Sequence, residues 1–107
     1  REKQALVKGA DMVICTPGRM IAHLNMGYVN LTQLRWLILD EADRMLDMGF
    51  HDDIIKIISH LPLLRQNLLF AATMPREMEL LARKILKNPI TVNIAVSKRL
   101  YLFYFFC

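Results

Sequence analysis

Cysteine is scarce in this chain. Its 107 residues hold two, Cys15 and Cys107, too few and too far apart for a disulfide framework or a metal-ligand spacing. Cys15 lies in an apolar run and is expected to be a buried, reduced thiol, which fits a reducing cytoplasm. Glycine is scarce too. The four glycines are followed by Ala10, Arg19, Tyr28 and Phe50, so no Gly-Lys-Ser/Thr phosphate loop lies within these residues. No apolar run approaches the roughly 18–20 residues needed to cross a bilayer. Arg1-Glu2-Lys3-Gln4 has no apolar stretch behind it and does not read as a secretory leader. His23, His51 and His60 share no metal spacing, so helix-face or surface positions are expected for them. There are no internal repeats and no linker-like stretch.

What is present suits one small globular domain. The composition is 54% hydrophobic and 22% charged, which argues against disorder. The net charge of +4 is unevenly spread: Asp40, Glu41, Asp43, Asp47, Asp52 and Asp53 lie close together, with Arg44 the only Lys or Arg among them. Elsewhere basic residues dominate. That division suits a cation held at one place and phosphate polyanions met elsewhere, or equally an ordinary charged surface. The seven Met residues fall mostly at helical spacings and read as core filler, and Trp36 reads as a core residue of a strand.

Strand and helix signals alternate. Asp11–Thr16, Leu34–Leu39, Asn67–Ala72 and Ile90–Ala95 read as strands. Arg19–Asn25, Glu41–Asp47, Asp52–His60 and Pro75 to about Leu86 read as helices. Pro75 is tolerated in a first turn, and Gly27 and Gly49 are stop signals. The alternation predicts an α/β fold with parallel pairing and right-handed crossovers.

The apolar run Trp36-Leu37-Ile38-Leu39 leads straight into Asp40-Glu41-Ala42-Asp43. A buried strand would carry these acids to one edge of a sheet, where open α/β sheets bind ligands. A buried carboxylate is costly unless it is paired, hydrogen-bonded or bound to a metal. Helix capping is the competing explanation, since acids are favoured at helix starts.

Two further short signals stand at predicted strand ends. Thr16-Pro17-Gly18-Arg19 follows the first strand, and Ala71-Ala72-Thr73 closes the third. In this order, and with Leu46-Asp47-Met48-Gly49-Phe50 and Met74-Pro75 flanking them, they resemble the DEAD-box RNA helicases with their TPGR, DEAD and SAT motifs. The resemblance covers about residues 1–98. Leu24–Tyr28 and Met48–Phe50 look most similar to bacterial members of the RhlE kind.

The resemblance implies an incomplete RecA-like, parallel-sheet P-loop NTPase domain that uses ATP and Mg²⁺. It implies that Asp40 holds Mg²⁺ through water and that Glu41 polarises the water attacking the γ-phosphate. Phosphoryl transfer needs such positioning and a metal more than covalent chemistry. Asp43 would relay to the third motif, at Ala71 and Thr73, while Arg44 reads as a neutraliser of the acids. Thr16, Pro17, Gly18 and Arg19 would contact the RNA sugar-phosphate backbone, with little sequence preference. An ordinary Pro-Gly turn is the alternative for that segment. No membrane contact and no small-molecule substrate beyond ATP are implied, and no protein partner is indicated.

The chain departs from the family pattern at Ala71, where Ser is usual. A methyl cannot hydrogen-bond Asp43, which puts the coupling of hydrolysis to strand separation in question. The phosphate loop, the adenine-reading segment and the second RecA-like domain are also missing from these residues. The chain therefore reads as about half of the first RecA-like domain, with marginal stability and no hydrolysis of its own. Residues 99–107 differ in character from the rest. Leu100 to Cys107 is wholly apolar or aromatic, an aggregation hazard if exposed. This tail is expected to be non-native, the product of a shifted or truncated reading frame. The rivals to a helicase fragment are a non-catalytic RNA-binding remnant, an unfolded truncation product, and a P-loop ATPase acting on DNA.

Overall fold

The computed structural model describes residues 1–94 and 100–105. Ala95, Arg99, Phe106 and Cys107, on which some of the expectations above rest, lie outside the described residues. Two compact units share the chain: residues 1–33 with 50–62, and residues 34–49 with 63–107.

The first unit is helical: α1 (Glu2–Lys8), α2 (Pro17–Asn25) and α4 (His51–Ser59). α2 opens on Thr16, whose hydroxyl accepts the Arg19 N–H at 3.4 Å, and Pro17 takes the first helical position. α4 buries Ile54 as its anchor, as the spacing of its isoleucines requires. Packing between α2 and α4 is the main tertiary contact of this unit, and Lys56 donates to Asn25 across it at 2.8 Å. α1 is absent from the sequence-based reading. It is short and buries no residue, so its sequence carries no apolar stripe to signal it.

The second unit carries the sheet: β1 (Trp36–Leu39), β2 (Gln66–Ala71), β3 (Ile90–Ile94) and β4 (Leu100–Phe105), with α3 (Ala42–Asp47) and α5 (Arg76–Ile85). The strand order is β1-β2-β4-β3. β1 and β2 are parallel, with Trp36 opposite Gln66 and Leu39 opposite Leu69. β4 runs antiparallel to both β2 and β3, so β1, β2 and β3 all point one way. α5 presents Met78, Leu81, Ala82 and Ile85 at helical spacing as its buried stripe. These join Leu69 and Ala71 of β2 in the core. A further tie runs from the Asn67 amide to the Ile85 carbonyl at 3.3 Å.

Five expectations need correcting, the first being that Met12, Met26 and Met48 are exposed and do not fill the core. Residues 11–16 form no strand. Ile14 is 90% exposed, and a strand without a ladder partner leaves its N–H and C=O groups to water. Cys15 is accordingly exposed, not buried. β1 is an edge strand whose Trp36 is 55% exposed, so Trp36 is no core residue. The pairing is mixed because Leu100–Phe105 is itself a strand between β2 and β3.

Candidate functional site

The sheet unit positions the acids. β1 ends at Leu39, and the chain turns at Asp40 into α3. Asp40 is exposed, and its Oδ1 accepts the Glu41 N–H at 2.9 Å. Glu41 stands just before α3 with φ 51 and ψ 42, a left-handed backbone. That conformation costs an L-residue about 1–2 kcal/mol. Glu41 makes no side-chain capping bond there, so capping does not account for a carboxylate at this position. Its side chain is turned outward, with Arg44 Nε 3.9 Å from the carboxylate. Across that distance in solvent Arg44 is a weak neutraliser.

Asp43 behaves oppositely. It is 7% exposed, and its Oδ2 accepts both the Thr73 hydroxyl, at 2.8 Å, and the Thr73 N–H, at 3.1 Å. Burial pushes this carboxyl up, but the Thr73 hydroxyl and N–H, with the N–H groups of Arg44 and of Asp43 itself, outweigh it. The net effect holds Asp43 below its ordinary range. The clamp ties the first turn of α3 to the segment leaving β2. Ala71 lies buried at the end of β2, and Thr73 supplies the hydroxyl that residue 71 lacks. Asp43 and Thr73 are thus brought together, while Asp40 and Glu41 face outward from the same turn.

The helical unit holds the other predicted residues. Thr16 caps α2, and Pro17 is buried. Gly18 lies inside the first turn of α2 with ordinary helical backbone, and a Cβ there would meet only the Phe50 ring, at 3.8 Å. Its conformation therefore does not demand glycine. Arg19 is engaged by a residue that sequence reasoning passed over. Its Nε and Nη2 lie 2.7 and 2.6 Å from Glu2 Oε2. His23 Nε2 is 3.0 Å from the same oxygen, and its Nδ1 pairs with the Tyr28 hydroxyl. These bonds, led by that from Arg19, hold Glu2 below its ordinary range. The signal was present in part: Arg19 and His23 stand four apart on one helix, where side chains share a face. Glu2 gave none, because it comes from a helix with no pattern.

Among the described residues no three His, Cys, Asp or Glu side chains converge as a metal site. Asp40 and Glu41 nonetheless offer outward carboxylate oxygens. That donor set fits a hard cation that keeps most of its waters and takes one or two carboxylates.

The family model for "DEAD/DEAH box helicase" matches residues 1–81. This chain belongs to the DEAD/DEAH box helicase family. Among curated proteins it is 51% identical over 92 residues to the pre-mRNA-processing ATP-dependent RNA helicase prp11 of Schizosaccharomyces pombe, covering 83% of this chain and 9% of that protein. It is 51% identical over 89 residues to the ATP-dependent RNA helicase DBP2 of Candida glabrata, covering 83% of this chain and 16% of that one. Among solved structures, a DEAD box protein of Methanococcus jannaschii matches with TM-score 0.72 and 45% identity, over 77% of this chain and 23% of that chain. The yeast DEAD-box splicing factor Prp28 matches with TM-score 0.72 and 34% identity, over 79% and 20%. The chain thus spans less than a quarter of the relatives it matches. Its fold is that of a DEAD-box RecA-like domain, in part.

Proposed function

We propose that this chain is part of an ATP-dependent RNA helicase and carries the segment that orients the attacking water and touches the RNA backbone. The supporting observation is the Asp43–Thr73 clamp: one buried acid is spent on holding the turn, which frees its neighbours for chemistry. In this reading Glu41 orients water for attack on the γ-phosphate of ATP. Asp40 is the residue that would hold Mg²⁺ through water, and the ion, when bound, neutralises phosphate charge. Asp43 and Thr73 relay the state of that site to the strand end beyond β2. Thr16, Gly18 and Arg19 meet sugar-phosphate without reading bases. The 107 residues contain no Gly-Lys-Ser/Thr loop, so the phosphates need a cradle from outside them and the chain alone is proposed to be inactive. Residues 1–98 are proposed as the domain segment and 99–107 as a non-native tail. A bacterial, RhlE-like origin and a cytoplasmic location complete the proposal. The origin rests on Leu24–Tyr28 and Met48–Phe50 alone, and the fungal and archaeal relatives above lend it no support.

The test is a chimera. These residues replace the aligned segment of the Candida glabrata relative, whose own sequence then supplies everything the chain lacks. RNA-stimulated ATP hydrolysis is expected, and Glu41→Gln should lower kcat by about 100-fold or more. A chimera that unfolds cooperatively near the parent's Tm yet shows no RNA-stimulated hydrolysis would sink the proposal.

A further inference from the structure

Three N–H groups converge on a single oxygen in the helical unit. Arg19 Nε, Arg19 Nη2 and His23 Nε2 all point at Glu2 Oε2, at 2.7, 2.6 and 3.0 Å. A carboxylate oxygen and a phosphate oxygen are the same kind of acceptor for such a fork. We propose that Arg19 and His23 form a cradle for one RNA phosphate and that Glu2 is its built-in competitor. The proposal rests on the reading that Arg19 meets the RNA backbone, and it adds His23 as a phosphate donor and Glu2 as a brake.

The two sides of the contact are anchored unequally. His23 is 9% exposed and sits on α2, which also buries Pro17 and Met20. The Tyr28 hydroxyl engages its Nδ1, with the rings edge to face. Because a carboxylate accepts and never donates, Nε2 carries the hydrogen and is aimed outward as a donor. Should Glu2 leave, His23 keeps its place. Glu2, by contrast, is 57% exposed on α1, a helix that buries none of its residues. Moving it forfeits little apolar contact. An exposed ion pair is weak and screened by salt, so a phosphate can displace it. α1 also carries Lys3, whose Nζ lies 5.2 Å from the Tyr28 ring centroid. Among the described residues no other acid bonds Arg19 or His23, so withdrawal of Glu2 leaves both donors unopposed.

The experiment is binding of a uridine oligomer to the 107-residue chain, measured against salt. Glu2→Gln is expected to tighten binding roughly three- to tenfold. It should also steepen the slope of log K on log salt by up to about 0.7, because in the unmodified chain the displaced Glu2 takes up a cation that offsets the one released by the phosphate. The gain should vanish in the Arg19→Ala background. In the unmodified chain the Arg19 Nε–H and His23 Nε2–H resonances should move on RNA titration, a readout that needs no variant to fold. If Arg19→Ala weakens binding but Glu2→Gln leaves affinity and slope unchanged, the brake is refuted and the RNA reading survives. Unmoved Arg19 and His23 resonances would refute the cradle. If RNA binds and Arg19→Ala changes nothing, the assignment of Arg19 to RNA falls, and the cradle with it. A folded chain that binds no RNA, with or without Glu2→Gln, overturns both.

Discussion

The two units solve the problem of holding an acid in opposite ways. In the sheet unit, whose core includes the fully buried Leu69, Met78 and Leu81, Asp43 is buried and clamped by Thr73. In the helical unit Glu2 is exposed, held by Arg19 and His23, on a helix that buries none of its residues. A carboxylate that is itself buried and accepts two hydrogen bonds cannot be exchanged cheaply, because bonds to a charged group in a partly buried place are lost with it. A carboxylate in a solvated ion pair can be. The first arrangement suits a structural relay, the second an occupant that gives way to another anion.

The comparison breaks most readily at the apolar level. Leu81→Ala should cost the sheet unit about 2–5 kcal/mol, the usual range for a buried Leu. Ile14→Ala, in the exposed run of the helical unit, should change stability by less than about 0.5 kcal/mol. Urea denaturation of both variants checks this. Comparable losses at the two positions would show that residues 11–16 are packed in solution, and the contrast between the units would dissolve.

The acids sharpen it further. Asp43→Ala removes two hydrogen bonds to a charged acceptor and, although the exposed Thr73 can turn to water, should cost about 1–3 kcal/mol. The pH dependence has a definite sign. The folded carboxyl titrates below its ordinary range, so its stabilisation is complete above about pH 4 and is lost as pH falls through the folded value. Asp43→Asn keeps an acceptor for Thr73 but removes the charge. In an acid titration of thermal stability, the segment of the slope due to Asp43 should therefore disappear in that variant. An unchanged slope would mean that Asp43 carries no shifted proton and that the clamp is weaker than its distances imply.

Much of this was legible in the residues, for physical reasons. α5 shows because Met78, Leu81, Ala82 and Ile85 repeat at helical spacing. β2 shows because six apolar or amide residues between turn signals suit a strand buried on most of its length. The Asp43–Thr73 pairing was only partly visible. A missing hydroxyl at residue 71 suggested a broken relay, but a sequence cannot show that Thr73 reaches the same carboxylate with both its hydroxyl and its N–H. The strand expected at 11–16 fails because strand propensity is a tendency to pair, and pairing depends on a neighbour that the run itself does not encode. Trp36 misleads for the same reason: its run is as apolar as a central strand's, yet β1 is an edge. Glu2 was invisible because its partners lie far along the chain, and one charged residue at a helix start is ordinary.

A smaller gain in stability tests whether the outward acid of the sheet unit is kept for chemistry or for structure. Glu41 occupies a left-handed backbone and forms no cap. Glu41→Gly removes the Cβ clash of that conformation, worth about 1–2 kcal/mol, and returns part of it as added freedom of the unfolded chain. A net gain of up to about 1 kcal/mol is expected in urea denaturation of the chain. The same change in the helicase chimera should abolish hydrolysis. Strain retained at one residue, relieved by a substitution that destroys activity, is the signature of a position selected for its side chain. A loss of stability on Glu41→Gly would instead mean that the Glu41 carboxylate helps to hold the turn, and the contrast with Asp43 would have to be redrawn as two structural acids side by side.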